Sequence, residues 1–133
     1  MPNHWLLKTE PSTYSYADLA RDQVTTWDGV KNPAALNNLR AMKNGDQAFI
    51  YHTGDEKAIV GIARVVSAPY PDPKLKDPKR VVVDLAPVRA LKAPVTLAAV
   101  KADPRFVAFA LVRLPRLSVM AVTAEQWEQL LAL

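Results

Sequence analysis

Residues 47–66 read QAFIYHTGDEKAIVGIARVV, and their pattern indicates the fold class. Two runs rich in apolar, β-branched and aromatic residues, 47–53 and 58–66, flank the polar turn 54–57. This arrangement is typical of a β-hairpin. Gly61 interrupts the second run, and a glycine inside a strand often marks a bulge or the close approach of another group. The chain therefore contains paired strands with no helix between them.

The rest of the chain predicts further strands and short helices around this hairpin. Strands are expected over 4–9, over 80–90 and within 111–122, where Pro115 would lie at an edge or a bulge. Helices are expected over 15–20, with Ser15 as a possible cap, over 32–43, and over 96–102 with Thr96 as its cap. A last helix is expected to open with the capping box 123–126. The proline-rich segment 67–79 is expected to be a loop.

Consecutive strands without intervening helices argue against a doubly wound parallel sheet. They favour an α+β fold in which a small, mostly antiparallel barrel is flanked by short helices. A length of 133 residues fits one domain, which we expect to span residues 1–133.

The composition is that of a globular protein without disulfides. There is no cysteine, and 23% of the residues are charged. No apolar run approaches the ~20 residues of a membrane span. The N-terminal residues 1–5 lack the charged start and apolar stretch of a signal peptide. We therefore expect a cytoplasmic protein with no membrane partner.

Positive charge is concentrated in the middle of the chain. The net charge is +4, but residues 64–116 carry eleven Lys or Arg against four Asp or Glu. Such a segment is typical of a face that attracts polyanions, with an affinity that falls as salt rises. An ordinary solvated surface would have the same composition, so both interpretations stay open.

Catalytic and metal-binding signatures are missing from the sequence. The two histidines, His4 and His52, are not at ligand spacing from a pair of carboxylates. The four glycines are scattered, which excludes a glycine-rich phosphate loop, and no Gly-x-Ser-x-Gly turn occurs. We expect no cofactor, no metal and no catalytic constellation.

The connection from Trp27 to Pro33 combines several features that suit a nucleotide. Asp28-Gly29 is a turn signal, and Asn32-Pro33 reads as an N-cap followed by proline at the first helical position. A helix N-terminus attracts phosphate, Lys31 adds a cation, and Trp27 offers a flat face. The alternative is a loop-to-helix junction in which Trp27 is a core residue.

Polar side chains also come together at the ends of two predicted strands. Lys8 and Thr9 end the first strand, and His52 and Thr53 end the second. A neutral histidine offers one donor and one acceptor, which suits the edge of a nucleobase. A buried histidine that bonds to the backbone is the other interpretation of His52.

These motifs, taken in order, resemble the EVE domain family. The stretches that match are Trp5-Leu6-Leu7-Lys8-Thr9-Glu10-Pro11, Trp27-Asp28-Gly29-Val30-Lys31-Asn32, the helix end 39–46, Tyr51-His52-Thr53, the loop 68–72 and Arg116-Leu117-Ser118-Val119. The resemblance implies one PUA-like domain, a pseudo-barrel of five to six strands flanked by short α-helices. It also implies a non-catalytic module that recognises a modified base of DNA or RNA, flipped into a pocket.

The same resemblance assigns residues to this pocket. The candidates are Lys8, Thr9, Glu10, Trp27, Val30, Lys31, Asn32, Tyr51, His52, Thr53, Arg116 and Ser118. Trp27 would either stack on the base or wall the pocket from the core, and Trp27→Ala is expected to leave the fold intact. The alternative function is a protein that binds small molecules or nucleotides, or an undetected enzyme, using the same pocket. The oligomeric state is left open, with a monomer as the simplest expectation.

Overall fold

Seven strands form a curled, half-barrel sheet. The computed structural model describes residues 3–133, so Met1 and Pro2, which belong to the predicted domain and to the N-terminal stretch discussed above, lie outside the described residues. The strands are β1 His4–Thr9, β2 Thr25–Trp27, β3 Gln47–His52, β4 Ala58–Val65, β5 Tyr70–Pro71, β6 Val81–Thr96 and β7 Val119–Val122.

The strand order is β2-β6-β4-β3-β1-β7, and the short β5 pairs with β6 off this path. β1 runs parallel to β3, whereas every other pair in the described sheet is antiparallel. The predicted α+β, PUA-like and mostly antiparallel fold is therefore confirmed. The strand count exceeds the expected five to six, because β2 and β5 have only three and two residues and leave little pattern in the sequence.

Short helices pack against both faces of this sheet. They are α1 Tyr16–Asp22, α2 Pro33–Ala41, α3 Leu97–Ala102, a 3-10 helix Pro104–Phe106, α4 Ala110–Arg113 and α5 Ala124–Leu131. The predicted caps are confirmed: Asn32 and Thr96 cap α2 and α3, and Thr123 and Gln126 form the capping box of α5. Within residues 3–133, no helix has the length and apolar character needed to cross a membrane.

The segment 111–122 contains the predicted strand, but the strand is short and the prediction for Pro115 is wrong. Only Val119–Val122 is a strand, and α4 occupies its first part. Pro115 lies in the connection between α4 and β7, so it is neither at a strand edge nor at a bulge. The apolar residues of this segment are divided between a helix and a strand, and Leu111 and Val119 are buried in different cores.

Two apolar cores lie on opposite faces of the sheet, as the alternation along β1 requires. Trp5 and Leu7 belong to the core that packs against α1 and α2. Leu6 belongs to the other core, where Trp127 of α5 stacks on Phe49 with ring centroids 3.8 Å apart.

The start of β1 is held by a buried carboxylate. Asp46 is 2% exposed, and its oxygens accept hydrogen bonds from the backbone N–H of Asn3, the indole N–H of Trp5 and the backbone N–H of Lys43, each at 2.9 Å. Because a buried carboxylate needs such donors, these contacts join β1 to the loop before β3 and set the direction in which β1 runs.

Gly61 admits α1 to the surface of the sheet. A Cβ atom at this position would lie 2.5 Å from the ring of Tyr16, and the register of β4 shifts beside it. Both predicted reasons for a glycine in this strand, a bulge and a close approach, are therefore confirmed. The Tyr16 hydroxyl donates to the carbonyl of Ile62 at 2.8 Å, so the ring is held in place. This contact positions the loop that precedes α1.

Candidate functional site

A cavity of about 650 Å³ opens where the half-barrel fails to close. The edge strand β2 forms one side, and the other side is formed by the end of β1 and by the residue just before β7, which are near the opposite end of the strand order. The lining residues are Lys8, Thr9, Thr13, Tyr14, Val24, Thr25, Thr26, Trp27, Asp28, Gly29, Val30, Lys31, Lys74 and Ser118.

The structure brings together six of the twelve residues predicted for the pocket. Lys8, Thr9, Trp27, Val30, Lys31 and Ser118 line the cavity. The other six do not line it: Glu10, Asn32, Tyr51, His52, Thr53 and Arg116. Glu10 and Asn32 are next in sequence to lining residues, and Tyr51 and His52 lie on β3, which pairs with β1. Thr53 bonds to the carbonyl of Thr9, and Arg116 is two positions before Ser118.

Trp27 lies in the wall of the cavity and in the core at the same time. It is 8% exposed, pairs with Val83 across β2 and β6, and makes an edge-to-face contact with Tyr14, whose ring centroid is 6.4 Å away. No hydrogen bond to the Trp27 indole N–H is found among residues 3–133, whereas the indole of Trp5 is bonded to Asp46. Because Trp27 is a core residue, we expect Trp27→Ala to destabilise the fold, in contrast to the expectation from the sequence.

The N-terminus of α2 does not offer free donors to a phosphate, contrary to the local interpretation of the sequence. Asn32 Oδ1 accepts the backbone N–H groups of Ala34 at 2.8 Å and Ala35 at 3.2 Å. Pro33 has no N–H, and the N–H of Leu36 bonds to the carbonyl of Asn32. Asn32 is therefore a helix cap in this structure.

Lys31 is exposed on the loop between β2 and α2, and the loop is anchored beside it. The Arg80 side chain donates through Nε to the carbonyl of Val30 at 2.9 Å. This bond joins the loop to the end of the proline-rich segment, which also carries the lining residue Lys74. Lys31 and Lys74 therefore reach the cavity from two loops that the hydrogen bond between Arg80 and Val30 joins.

His52 is a buried residue whose two ring nitrogens are both engaged. Nε2 accepts the backbone N–H of Tyr16 at 3.0 Å, and Nδ1 lies 2.7 Å from Oε1 of Glu56. Because a backbone N–H can only donate, Nε2 carries no proton and Nδ1 carries the ring proton. Neither nitrogen is available to the edge of a base in this structure.

Tyr51 contacts a lining residue but does not line the cavity. It is 3% exposed in the core that contains Leu6 and Trp127, and its ring centroid is 5.8 Å from Nζ of Lys8. The neighbouring Thr53 donates its hydroxyl to Glu10 at 3.2 Å, and its backbone N–H bonds to the carbonyl of Thr9. These residues hold the end of β1, which carries the lining pair Lys8 and Thr9.

Lys8 is the half-buried cation of the site. Its Nζ donates to the carbonyl of Pro115 at 2.9 Å, and burial lowers its pKa below the ordinary 10.5. The contact holds the 114–117 turn, with the exposed Arg116, at the side of the cavity. An ammonium in this position can attract an anion, although its charge is partly desolvated.

Hydroxyl groups make up much of the remaining wall. Thr9 donates to the carbonyl of Tyr14 at 2.7 Å, and Thr26 donates to Asp84 at 3.1 Å. Within residues 3–133, the hydroxyls of Thr13 and Ser118 make no hydrogen bond to the protein. These two can both donate to and accept from a ligand.

Sequence reasoning missed the strand β2 and the loops that face it. Thr13, Tyr14, Val24, Thr25, Thr26, Asp28, Gly29 and Lys74 line the cavity but were not among the predicted residues. The run Val24-Thr25-Thr26-Trp27 has the β-branched and aromatic composition of a strand, which could have indicated β2. Among residues 3–133, no group of three or more His, Asp or Glu side chains could hold a metal ion.

Comparison with known proteins gives a consistent family. The chain matches the EVE domain over residues 3–133. It is 37% identical to human thymocyte nuclear protein 1 in an alignment that covers 76% of this chain and 56% of the human protein. The chain thus spans little more than half the length of that relative.

Two solved structures extend the comparison. A Rhodopseudomonas palustris protein solved by NMR has a TM-score of 0.93 at 44% identity and covers 98% of this chain and 91% of its own. The human THYN1 protein, solved in complex with DNA that contains 5-methylcytosine, has a TM-score of 0.89 at 33% identity, with coverages of 98% and 96%. The shared fold and the match over nearly all of its residues establish that this chain belongs to the EVE domain family.

Proposed function

We propose that this chain is a non-catalytic module that binds nucleic acid and holds one modified base in the cavity beside Trp27. The observation that carries this proposal is the composition of the cavity, in which an aromatic wall meets the ammonium groups of Lys8, Lys31 and Lys74. The human relative solved with DNA containing 5-methylcytosine supports the class of ligand.

The size of the cavity suits a single nucleotide. Its volume of about 650 Å³ falls within the roughly 300–1,000 Å³ of small-ligand sites. Turning a base out of a duplex costs a few kcal/mol, and an aromatic contact returns about 1–3 kcal/mol. Because Trp27 is 8% exposed, only part of the indole can contact the base. The lysines that line the cavity must therefore contribute to binding.

The cations would act on the phosphates, and the hydroxyls would act on the base. Lys31 and Lys74 are exposed at the cavity, where attraction to a phosphodiester needs no desolvation of a buried group. Thr13 and Ser118 offer hydroxyls without partners in the described protein. A hydrogen-bonding wall distinguishes a polar substituent more sharply than an apolar pocket distinguishes a methyl group, which is worth about 1–3 kcal/mol.

We assign the twelve predicted site residues to three roles. Lys8, Thr9, Trp27, Val30, Lys31 and Ser118 would contact the ligand. Glu10, Asn32, Tyr51, His52 and Thr53 would hold the elements that carry them, and Arg116 would add positive charge beside Lys8.

The test is an affinity panel at one fixed salt concentration. Single-stranded and double-stranded DNA and RNA oligonucleotides of one sequence are compared, unmodified and with one modified base at the centre. We expect a modified oligonucleotide to bind more tightly than its unmodified counterpart, and we expect Trp27→Phe to reduce that difference. Lys101→Gln, a charge change on α3 away from the cavity, is the matched control and should leave the difference unchanged.

Two outcomes contradict the proposal. Equal binding of all oligonucleotides would leave only general polyanion binding. Tight, salt-insensitive binding of a free nucleoside or nucleotide, with no gain from an oligonucleotide, would favour the alternative of a protein that binds small molecules or an enzyme.

A further inference from the structure

Asp28 is the acidic residue of an otherwise basic cavity. Of the lining residues, all within the described part of the chain, it is the single carboxylate, and it shares the cavity with three lysines. It directly follows the wall residue Trp27 and precedes Gly29, whose φ of +78° turns the chain. A base in contact with Trp27 would therefore share the cavity with the Asp28 carboxylate.

The Asp28 carboxylate has acceptor capacity that the protein does not use. Its nearest cation among residues 3–133 is Lys74, with Nζ 4.0 Å from Oδ2, which is beyond hydrogen-bond distance. The two side chains are 49% and 81% exposed, so this exposed ion pair contributes little and is easily displaced. Asp46 and Asp84, by contrast, accept several hydrogen bonds from the protein. Asp28 is thus a carboxylate that is available to a ligand.

A carboxylate accepts hydrogen bonds and cannot donate them, so it favours a base edge that presents N–H groups without adjacent oxygens. The exocyclic amino group of cytosine is such a donor, and Asp or Glu is its usual partner in base recognition. Thymine and uracil have a single ring N–H between two carbonyl oxygens, and both oxygens would repel the carboxylate.

We infer that Asp28 makes the site selective for nucleobases that carry an exocyclic amino group, over the corresponding oxo bases. This inference rests on the proposed function, because it assumes that a base enters the cavity. It adds to the proposed function the class of base that is bound and the residue, Asp28, that selects this class. Lys74 would then leave its 4.0 Å contact with Asp28 and bind a phosphate of the bound strand.

The experiment uses two bases that differ at the pairing edge alone. 5-Methylcytosine and thymine share the methyl group and differ by the exchange of the amino group and N3 for an oxo group and N3–H. Each is placed once in a short single-stranded DNA whose other positions are abasic, and an all-abasic strand measures binding to the phosphates. Affinities are measured at one salt concentration for the wild-type chain, Asp28→Asn and Asp55→Asn.

The wild-type chain should bind the 5-methylcytosine strand about 5- to 100-fold more tightly than the thymine strand, which is the range expected for one good base-edge contact. Asp28→Asn should reduce this ratio to about twofold or reverse it, because an amide can donate to the thymine carbonyl. Asp55→Asn makes the same change of charge at an exposed hairpin position and should keep the wild-type ratio.

Each contrary result has a distinct meaning. Equal binding of the two strands by the wild-type chain, both above the all-abasic strand, overturns the inference about Asp28 and leaves the proposed function standing. A ratio that survives in Asp28→Asn has the same consequence. If neither base improves on the all-abasic strand, the proposed function fails and the inference fails with it.

Discussion

The imidazole Nε2 of His52 accepts the backbone N–H of Tyr16 at 3.0 Å, so a strand-end histidine caps the first turn of α1. This contact joins β3 to the helix that covers the first core, and Nδ1 joins the same ring to Glu56 in the hairpin turn. The histidine therefore stabilises the wall of the cavity without entering it.

Replacing His52 by alanine should lower the free energy of unfolding by about 1–3 kcal/mol, because the N–H of Tyr16 loses its acceptor. Urea denaturation measures this loss. Glu56→Gln is the comparison, since it keeps an oxygen beside Nδ1 on a side chain that is 43% exposed, and its effect should be smaller. Equal, negligible losses in the two variants would show that the cap does not contribute.

Gly61→Ala should destabilise the fold by about 1–3 kcal/mol, the usual cost of overpacking a core. The new Cβ atom would lie 2.5 Å from the Tyr16 ring, and the bond from the Tyr16 hydroxyl to Ile62 opposes any movement of that ring. In a Tyr16→Ala background the same substitution should cost much less. A thermodynamic cycle of the four proteins measures this coupling, and strict additivity would contradict the close contact.

Trp27→Phe should fold and bind its preferred oligonucleotide more weakly, because a smaller ring reduces the contact at the cavity wall. Trp27→Ala should lose about 3–5 kcal/mol of stability, as expected for truncation of a buried aromatic residue. Thermal unfolding and binding titrations well below the melting temperature separate the two effects. Undiminished affinity in the phenylalanine variant would contradict direct contact between the base and the indole.

Lys31→Gln and Lys74→Gln should each reduce the salt dependence of oligonucleotide binding. Each phosphate contact contributes about 0.7–0.9 to the slope of log affinity against log salt, so each variant should lose roughly that amount. The slope is obtained from titrations at several salt concentrations. Lys101→Gln carries the same change of charge away from the cavity, and a loss of slope there equal to the others would indicate a diffuse basic surface.

Lys8 should titrate below the ordinary lysine pKa of 10.5, because burial disfavours its charged form. The folded chain then releases this proton at a lower pH than the unfolded chain does. Stability should therefore rise as pH increases through the folded pKa towards 10.5, whereas any anion contact of Lys8 weakens over the same range. An NMR titration of the Lys8 side chain checks the pKa, with Lys8→Met as control, and a midpoint above 10.5 would contradict it.

Local chemistry made several elements predictable. Ser15, Asn32, Thr96 and Thr123 begin helices because each side chain can accept a backbone N–H a few residues ahead, and all four do so. Gly61 indicated a close approach because the Tyr16 ring occupies the space that a side chain at position 61 would fill. The strand β2 left a weaker signal, since three residues at a sheet edge are held by pairing with β6 and not by their own pattern.

The cavity could be predicted only in part for a similar reason. Trp27 and Lys31 belong to one motif, but Lys74 and Ser118 reach the same space from distant parts of the chain. Asn32 and His52 have side chains that suit a ligand, yet the protein itself supplies their partners, Ala34 and Ala35 for one and Tyr16 and Glu56 for the other. Which polar groups remain available depends on contacts between segments far apart in sequence.

The strands β1, β3 and β4, the helix caps and the family follow from the sequence, because they depend on spacing and on interactions within a few residues. Three features come from the tertiary fold: the burial of Trp27, the hydroxyls left unpaired among the described residues, and the meeting of Asp28 with Lys74 in the cavity. The cavity lies between the two ends of the half-barrel sheet, so no single segment of the chain encloses it. Which polar groups a ligand can contact depends on how these distant segments pack together.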